Sequence, residues 1–238
     1  MEYKPSDMMA ITIARMLKNG ETVFHGVASP LPMVAILLAK ALHAPHLVYL
    51  NIAGGVDAEP KPLPRSTDAP VLLRGTKAVF KLEEVFDLSA RGGLDVAFLS
   101  GVQIDAMGKI NSSVIGEYHK PKVRLPGGAG SACLLPTAKK AIIWRSKHDQ
   151  KAFVEKCDFV TAQGNIHRVV TPLCVFKKEE RGLVLESVHP YTTLEEVQEN
   201  TGFPIVYDSL QFTPPPTLEE LKTLNEVDPS GIREIEFS

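Results

Sequence analysis

The sequence predicts an α/β fold: an open, mostly parallel sheet with helices on both faces. Three observations carry that prediction. Helix and strand patterns alternate from the N-terminus to about residue 162, the order in which parallel strands are joined by crossover helices. The runs 96–99 and 141–144 are almost wholly apolar, as strands covered on both faces must be. A length of 238 residues suits one large α/β domain. We read residues 1–238 as that single domain, with a C-terminal arm from about residue 212.

Each element has a local reason. Ser6 or Asp7 can cap a first helix carrying Met8, Ile11, Ile13, Ala14 and Leu17, which Asn19-Gly20 ends. A strand at 22–25 leads into the loop GVASPLP. A nearly all-apolar helix at 33–42 follows and is broken by His43-Ala44-Pro45. Residues 47–50 are the next strand. The alternation continues with a helix at 77–91 and strands at 96–99, 141–144 and 159–162. Segments 169–176 and 183–187 flank the charged turn 177–182 and read as a hairpin. A helix is expected at 193–200. Pro214-Pro215-Pro216 is stiff and has no helix potential. Thr217 with Glu220 then forms a capping-box pattern for a helix at 218–227.

Composition excludes several classes. Hydrophobic residues make up 44% and charged residues 23%, with a formal net charge of −2, so no basic field draws nucleic acid or anionic membrane. No apolar run approaches the ~20 residues that span a bilayer. The opening MEYKPSD lacks a charged segment followed by an apolar one, so a cytoplasmic protein is expected. Cys133, Cys157 and Cys174 are widely spaced, without a CxxC pair, so no metal site or redox dithiol is expected. Cys157 and Cys174 read as small buried hydrophobes. Cys133 follows a glycine loop but has no local neighbour to stabilise a thiolate. His148 and Asp149 read as part of a solvated helix start. His25 ends a strand before Gly26 and reads as a satisfied strand-end histidine. Tyr118, Lys120, Lys122 and Arg124 make a basic segment, either a solvated loop or a contact for phosphates or an acidic partner.

Two glycine-bearing segments carry the chemistry. LDVAFLSGVQIDAMGKINSS is an apolar strand that empties into a turn. KVRLPGGAGSA has no large side chain from Gly127 to Ala132, so a ligand can approach backbone N–H groups closely. This pair resembles the GxxQVDxxGNxN and PGGxG segments of class I coenzyme A transferases, in the β-type subunit of the glutaconate CoA-transferase kind. HAPHLVYL, HDQKAFVEKCDFVT, SVHPYTTLEEVQENTGF, PTLEEL and DPSG fall in the matching order, from about Ser6 to Gly231.

The resemblance implies a coenzyme A thioester as substrate with no permanently bound cofactor. It also implies an α-type subunit as partner, in a heteromer expected to be a heterotetramer. The implied thioester site draws Gly127, Gly128 and Gly130 with Gln103 from one part of the chain, and Gly26, Ser29, Asn51 and Gly54 from another. Family transferases attack the thioester with a glutamate at a strand end. Here LVYLNIAGGVDAEP places Ile52 at that position, beside Asn51, so position 52 holds no nucleophile.

Three readings follow. A register slip would make Asp57 or Glu59 the nucleophile of a true transferase. Loss of the residue would leave a non-catalytic partner. The reading we prefer keeps the thioester pocket, with Ile52, Asn51 and Gly128 at the reacting centre. Chemistry there is non-covalent decarboxylation or hydrolysis of a glutaconyl-type thioester.

Overall fold

The computed structural model describes residues 2–237. They gather into two compact units, one of residues 2–98 with 215–237 and the other Leu99–Pro214.

The first unit runs α1 (Pro5–Met16), β1 (Thr22–His25), α2 (Pro30–Leu42), β2 (Val48–Asn51), β3 (Gly55–Val56), β4 (Ala78–Val79), α3 (Leu82–Ala90) and β5 (Val96–Leu99). β1 lies between β2 and β5 and is parallel to both, while β3 and β4 extend the sheet antiparallel beyond β2. α1 packs on α2. Met8, Met9, Ile11 and Ile13 of α1 and Leu31, Met33, Ile36 and Leu38 of α2 are fully buried. At ~1.5–3 kcal/mol for each such side chain, this apolar layer dominates the unit's stability.

The second unit contains β6 (Gln103–Asp105), β7 (Ile110–Asn111), β8 (Val114–Gly116), β9 (Pro121–Arg124), α4 (Ser131–Thr137), β10 (Lys140–Trp144), β11 (Phe153–Val154), β12 (Ile166–Val170), β13 (Cys174–Glu179), β14 (Gly182–Val188) and α5 (Leu194–Glu199). β10 pairs parallel with β12, and β12, β13 and β14 form an antiparallel meander. β11, β6 and β7 make a small separate sheet, and β8 with β9 a hairpin. Ile143, Phe153, Val169, Phe176 and Leu185 belong to one buried core cluster.

The predicted class therefore holds, with parallel strands at the centre and antiparallel ones at the margins. Among the described residues no helix is long and apolar enough to cross a membrane.

Four local expectations are corrected. α1 begins at Pro5, and Asp7 sits inside its first turn, where it accepts the Lys4 N–H at 2.9 Å. Residues 77–91 are not all helix, because Ala78–Val79 pairs with β3 before α3 starts. Residues 159–162 form no strand, and only Ala162 bridges to Ile110. The segment 169–176 is divided at Thr171-Pro172. Proline lacks the ladder N–H, and Thr171 Oγ1 instead accepts the N–H groups of Leu173 (3.2 Å) and Cys174 (3.1 Å).

The C-terminal segment returns to the first unit as α6 (Leu218–Val227), with the expected Thr217–Glu220 capping box. Two arginines bind it there. Arg15 donates from Nε and Nη2 to the two Glu220 carboxylate oxygens, each at 2.6 Å. Arg233, itself buried, reaches Asp7 at 2.6 Å and Asp228 at 2.9 Å. Burial opposes ionisation of Glu220, but Arg15 and the Thr217 backbone and hydroxyl outweigh it and hold the carboxyl at about 2. Because this value lies below the ordinary 4.5, the pair's stabilisation is present above pH ~4.5 and is lost as pH falls toward 2. Glu220→Gln should lower unfolding free energy at pH 7 by about 2 kcal/mol. In urea titrations, its gap to wild type should close between pH 4.5 and 2.

Candidate functional site

The first unit contributes a site built on two strand ends. β1 and β2 are parallel and in register, with His25 opposite Asn51, so both chains leave the sheet at the same level. After β1 the chain passes Gly26, Val27 and Ala28, the last with φ +47, to Ser29 at the start of α2. A Cβ added at Gly26 would meet nothing within 4 Å, so the approach to this backbone is open. After β2 a tight turn closes with Gly54 N–H donating to Asn51 O at 3.0 Å. Gly54 has φ +95, and an added Cβ would lie 2.5 Å from Phe80 O. The turn carries Ile52 and Ala53 half-buried at its tip.

The polar side chains here are held firmly. Asn51 donates to Leu72 O at 2.9 Å and accepts the Gly55 N–H at 3.1 Å. His25 Nδ1 lies 2.9 Å from Ser29 Oγ, and Nε2 lies 2.7 Å from the Tyr49 hydroxyl. Burial lowers the His25 imidazole to about 4, despite the opposing hydrogen bond to Gly26, so the ring is neutral at physiological pH. The strand-end reading of His25 is met in geometry, with every ring nitrogen partnered.

The turn also decides where the nearest carboxylate goes. The chain reverses at 52–54 and runs antiparallel to β2, so Asp57 comes to lie beside Tyr49, back along the strand. Its N–H donates to Tyr49 O at 2.7 Å, and its carboxylate accepts the Tyr49 N–H at 3.0 Å. Lys40 and Lys77 pair with it at 2.8 and 3.2 Å. Partial burial alone would raise this carboxyl, but Lys40, the Tyr49 N–H and Lys77 keep it below its ordinary range. Glu59 is exposed.

The second unit holds its own candidate feature, the glycine loop between β9 and α4. Gly127 has φ +94 and donates to Ser112 O at 2.8 Å. Ala129, a non-glycine residue at φ +43, is followed by Gly130, which precedes the first turn of α4. The Gly128 carbonyl accepts both N–H (2.8 Å) and Oγ–H (2.6 Å) of Ser131. The N–H groups of Gly128, Ala129 and Gly130 donate to no group among the described residues, leaving a short row of free backbone donors.

Behind the loop lies a polar network that sequence reasoning missed. Thr161 Oγ1 is 2.7 Å from Ser113 Oγ and accepts the Ser112 N–H at 2.9 Å. Its methyl group would stand 2.8 Å from a Cβ at Gly128. Gln103 is buried and engaged at both ends of its amide. It accepts from Asn111 Nδ2 at 2.6 Å and from Asp158 N–H at 3.1 Å, and it donates to Asp158 Oδ2 at 3.3 Å. Gln103 thus braces the turn that carries Ser112 and Ser113. Asp158 and Thr161 are among the final residues of HDQKAFVEKCDFVT, but nothing in that string marks partners some fifty residues away.

Within each unit the structure brings the expected residues together: Gly26, Ser29, Asn51, Ile52 and Gly54 in the first, and Gln103, Gly127, Gly128 and Gly130 in the second. His148 departs from expectation. It is buried, bonded to Thr171 (2.8 Å) and Thr201 (2.9 Å) and stacked on Phe153. Cys157 and Cys174 are buried as expected, and burial pushes both thiols up to about 12. Cys133 is exposed. No group of three His, Cys, Asp or Glu side chains among the described residues could hold a metal ion.

With this geometry in view, comparison with known proteins is informative. Residues 6–200 match the family model for coenzyme A transferase. The chain belongs to the coenzyme A transferase family. It is 35% identical to a subunit of the 3-oxoadipate CoA-transferase of Pseudomonas knackmussii, over 95% of this chain and 94% of that one. The crystal structure of the decarboxylase AibA/AibB matches with a TM-score of 0.93 at 28% identity, covering 98% of both chains. Glutaconate coenzyme A-transferase from Acidaminococcus fermentans matches with a TM-score of 0.88 at 26% identity, covering 100% of this chain and 98% of that one. A family member of this fold is an acyl-CoA enzyme, for which free backbone donors and open glycines are suitable chemistry.

The Gly54 geometry yields a direct test. Gly54→Ala forces a Cβ into the left-handed region and against Phe80 O, so it should destabilise the protein by about 2–4 kcal/mol. Gly26→Ala, with open space and no positive φ, should change stability by less than about 1 kcal/mol. Thermal unfolding of the two variants makes the comparison.

Proposed function

We propose that this chain is the β-type subunit of a cytoplasmic heteromeric acyl-CoA enzyme, paired with an α-type subunit. Its substrate in this reading is a glutaconyl-type dicarboxylic CoA thioester, processed by decarboxylation or hydrolysis without a covalent enzyme ester. The observation that carries the reading is the occupant of the turn after β2. Ile52 stands there, and the nearest acid along the chain, Asp57, is turned back beside Tyr49 and locked between Lys40 and Lys77. A carboxylate so paired is a poor nucleophile, because attack requires breaking both ion pairs.

Decarboxylation needs no nucleophile. The C–C bond to the departing carboxylate breaks, its electron pair enters the conjugated thioester enolate, and a proton returns to carbon. The protein's task is to stabilise the enolate oxygen and desolvate the carboxylate. Within the second unit, the N–H groups of Gly128, Ala129 and Gly130 are donors of the kind the first task needs, at ~3 kcal/mol per donor. Within the first unit, an isoleucine at position 52 is a side chain of the kind the second needs. The high structural similarity to the decarboxylase AibA/AibB supports this choice. No cofactor is required.

The competing reading is a true transferase that passes CoA between a dicarboxylic acyl-CoA and acetate. Its support is the 35% identity to a subunit of a 3-oxoadipate CoA-transferase. A non-catalytic β-type subunit is the third reading.

The complete heteromer separates them. Turnover of glutaconyl-CoA without acetate, and no hydroxylamine-sensitive enzyme adduct, is the expected result. Rapid acetate-dependent transfer with an adduct on Asp57 or Glu59 would restore the transferase. No turnover under any condition would leave the structural subunit. Ile52→Glu should lower native turnover at least tenfold, ~1.4 kcal/mol of barrier, because its carboxylate would oppose the developing enolate. Gly128→Val, which collides with Thr161, should abolish acyl-CoA binding in calorimetry while the heteromer stays folded.

A further inference from the structure

Tyr49, His25 and Ser29 form one continuous hydrogen-bonded chain, with Asn51 opposite His25 on the neighbouring strand, and all four are buried. Its donors can be assigned from the fixed ends. The Gly26 carbonyl only accepts, and it receives the Ser29 hydroxyl proton. Ser29 Oγ then accepts from His25 Nδ1–H, 2.9 Å away, and Nδ1 also lies 3.2 Å from the Gly26 carbonyl, which can only accept, so this nitrogen carries the proton. Nε2 is then the unprotonated nitrogen and accepts the Tyr49 O–H at 2.7 Å. Asn51, two residues further along β2, instead donates its amide N–H to Leu72 O at 2.9 Å and accepts the Gly55 N–H at 3.1 Å. The hydrogen bonds of the chain then run in one direction, from Tyr49 through His25 and Ser29 to Gly26. Buried networks satisfied in this way polarise and stiffen one another.

The two ends of that chain lie beside the two loops of the strand-end site. One end fixes Gly26 to Ser29, including the strained Ala28 at φ +47, and the other anchors Tyr49 in β2, two residues before the Asn51–Gly54 turn that carries Ile52. We propose that His25 is a positioning residue, a neutral Nδ1–H imidazole whose two hydrogen bonds lock these loops in the relative placement that receives the acyl thioester. This rests on the reading above that the loops beside Ile52 border the substrate. Burial keeps the ring uncharged, so its role is to hold geometry and not to move a proton. Ser29, in the same arrangement, is a brace with its one proton already committed to Gly26, and it has no hydrogen left for substrate.

The test uses Tyr49→Phe and His25→Gln in the complete heteromer, with His25→Leu as the variant that keeps bulk but no polarity. Tyr49→Phe removes one hydroxyl and should lower kcat about tenfold, with KM for the acyl-CoA within twofold and the thermal midpoint nearly unchanged. His25→Gln keeps one donor and one acceptor and should retain several-fold more kcat than His25→Leu. Nitrogen-15 NMR of the wild type should show His25 with a protonated Nδ1 and a bare Nε2, unchanged from pH 8 to pH 5.5. An Nε2–H tautomer overturns the proposal. So do variants whose kcat per folded heteromer equals wild type, whatever their melting temperature. The comparison is made on whichever reaction the wild-type heteromer performs. Acetate-dependent transfer would defeat the decarboxylase or hydrolase reading and still leave the positioning role open to this measurement.

Discussion

The register of two parallel strands controls the first unit. With His25 opposite Asn51, β1 and β2 end side by side, and both connections start from one level of the sheet. That level is where parallel α/β sheets place their ligand loops, since the helices must begin there and the loops have nothing above them. The strand pairing also fixes the ring of Tyr49 against the imidazole of His25, stacked at 5.5 Å between centroids. A slip of one residue in either strand would put the two side chains on opposite faces and offset the two loops. The polar chain from Tyr49 to Gly26 is thus a consequence of register, reinforced by burial.

The same turn explains why an acid close in sequence lies elsewhere in space. Counting residues from Ile52 to Asp57 suggests proximity, and the reversal at Gly54 does return the chain. It returns it along β2, however, so Asp57 meets Tyr49 and the two lysines and stays away from the strand end. The backbone at Asp57, at φ +49, and the two-way hydrogen bonding with Tyr49 fix that placement. Proximity in sequence and availability for chemistry part company here, and hydrogen-bond geometry is what separates them.

Much of this was legible in the sequence, for identifiable reasons. Strands 22–25 and 96–99 and helix 218–227 were found at the bounds the structure gives, because apolar runs, turn glycines and a capping box are local signals. The small strand at 78–79 was not, because it depends on a partner elsewhere in the chain, and the break at Thr171-Pro172 was overlooked although its proline is a local signal. The same distinction holds for the site. Glycines stand out in a sequence whatever surrounds them, so Gly26, Gly54, Gly127 and Gly128 could be named, although only Gly26 and Gly127 have open space where a Cβ would go. Thr161, Asp158 and Tyr49 matter through what they touch, and contacts spanning tens of residues leave no local pattern. His148 shows the cost: among charged neighbours it read as solvated, yet two threonines far along the chain bury and satisfy it.

The glycine loop and the strand-end turn differ in what they ask of substitution. Gly128 is constrained by Thr161, whose hydroxyl is already tied to Ser112 and Ser113, so the methyl group cannot swing aside without releasing two hydrogen bonds. The side chain at position 52 is half-buried at the tip of a turn whose hydrogen bonds are made by Asn51, Gly54 and Gly55. A residue there can change without breaking any of those bonds. Under the reading we propose, in which position 52 borders the acyl thioester, that independence lets the tip change while the turn and the buried polar chain beside it stay as they are. An apolar side chain there would favour loss of CO₂ by desolvating the departing carboxylate.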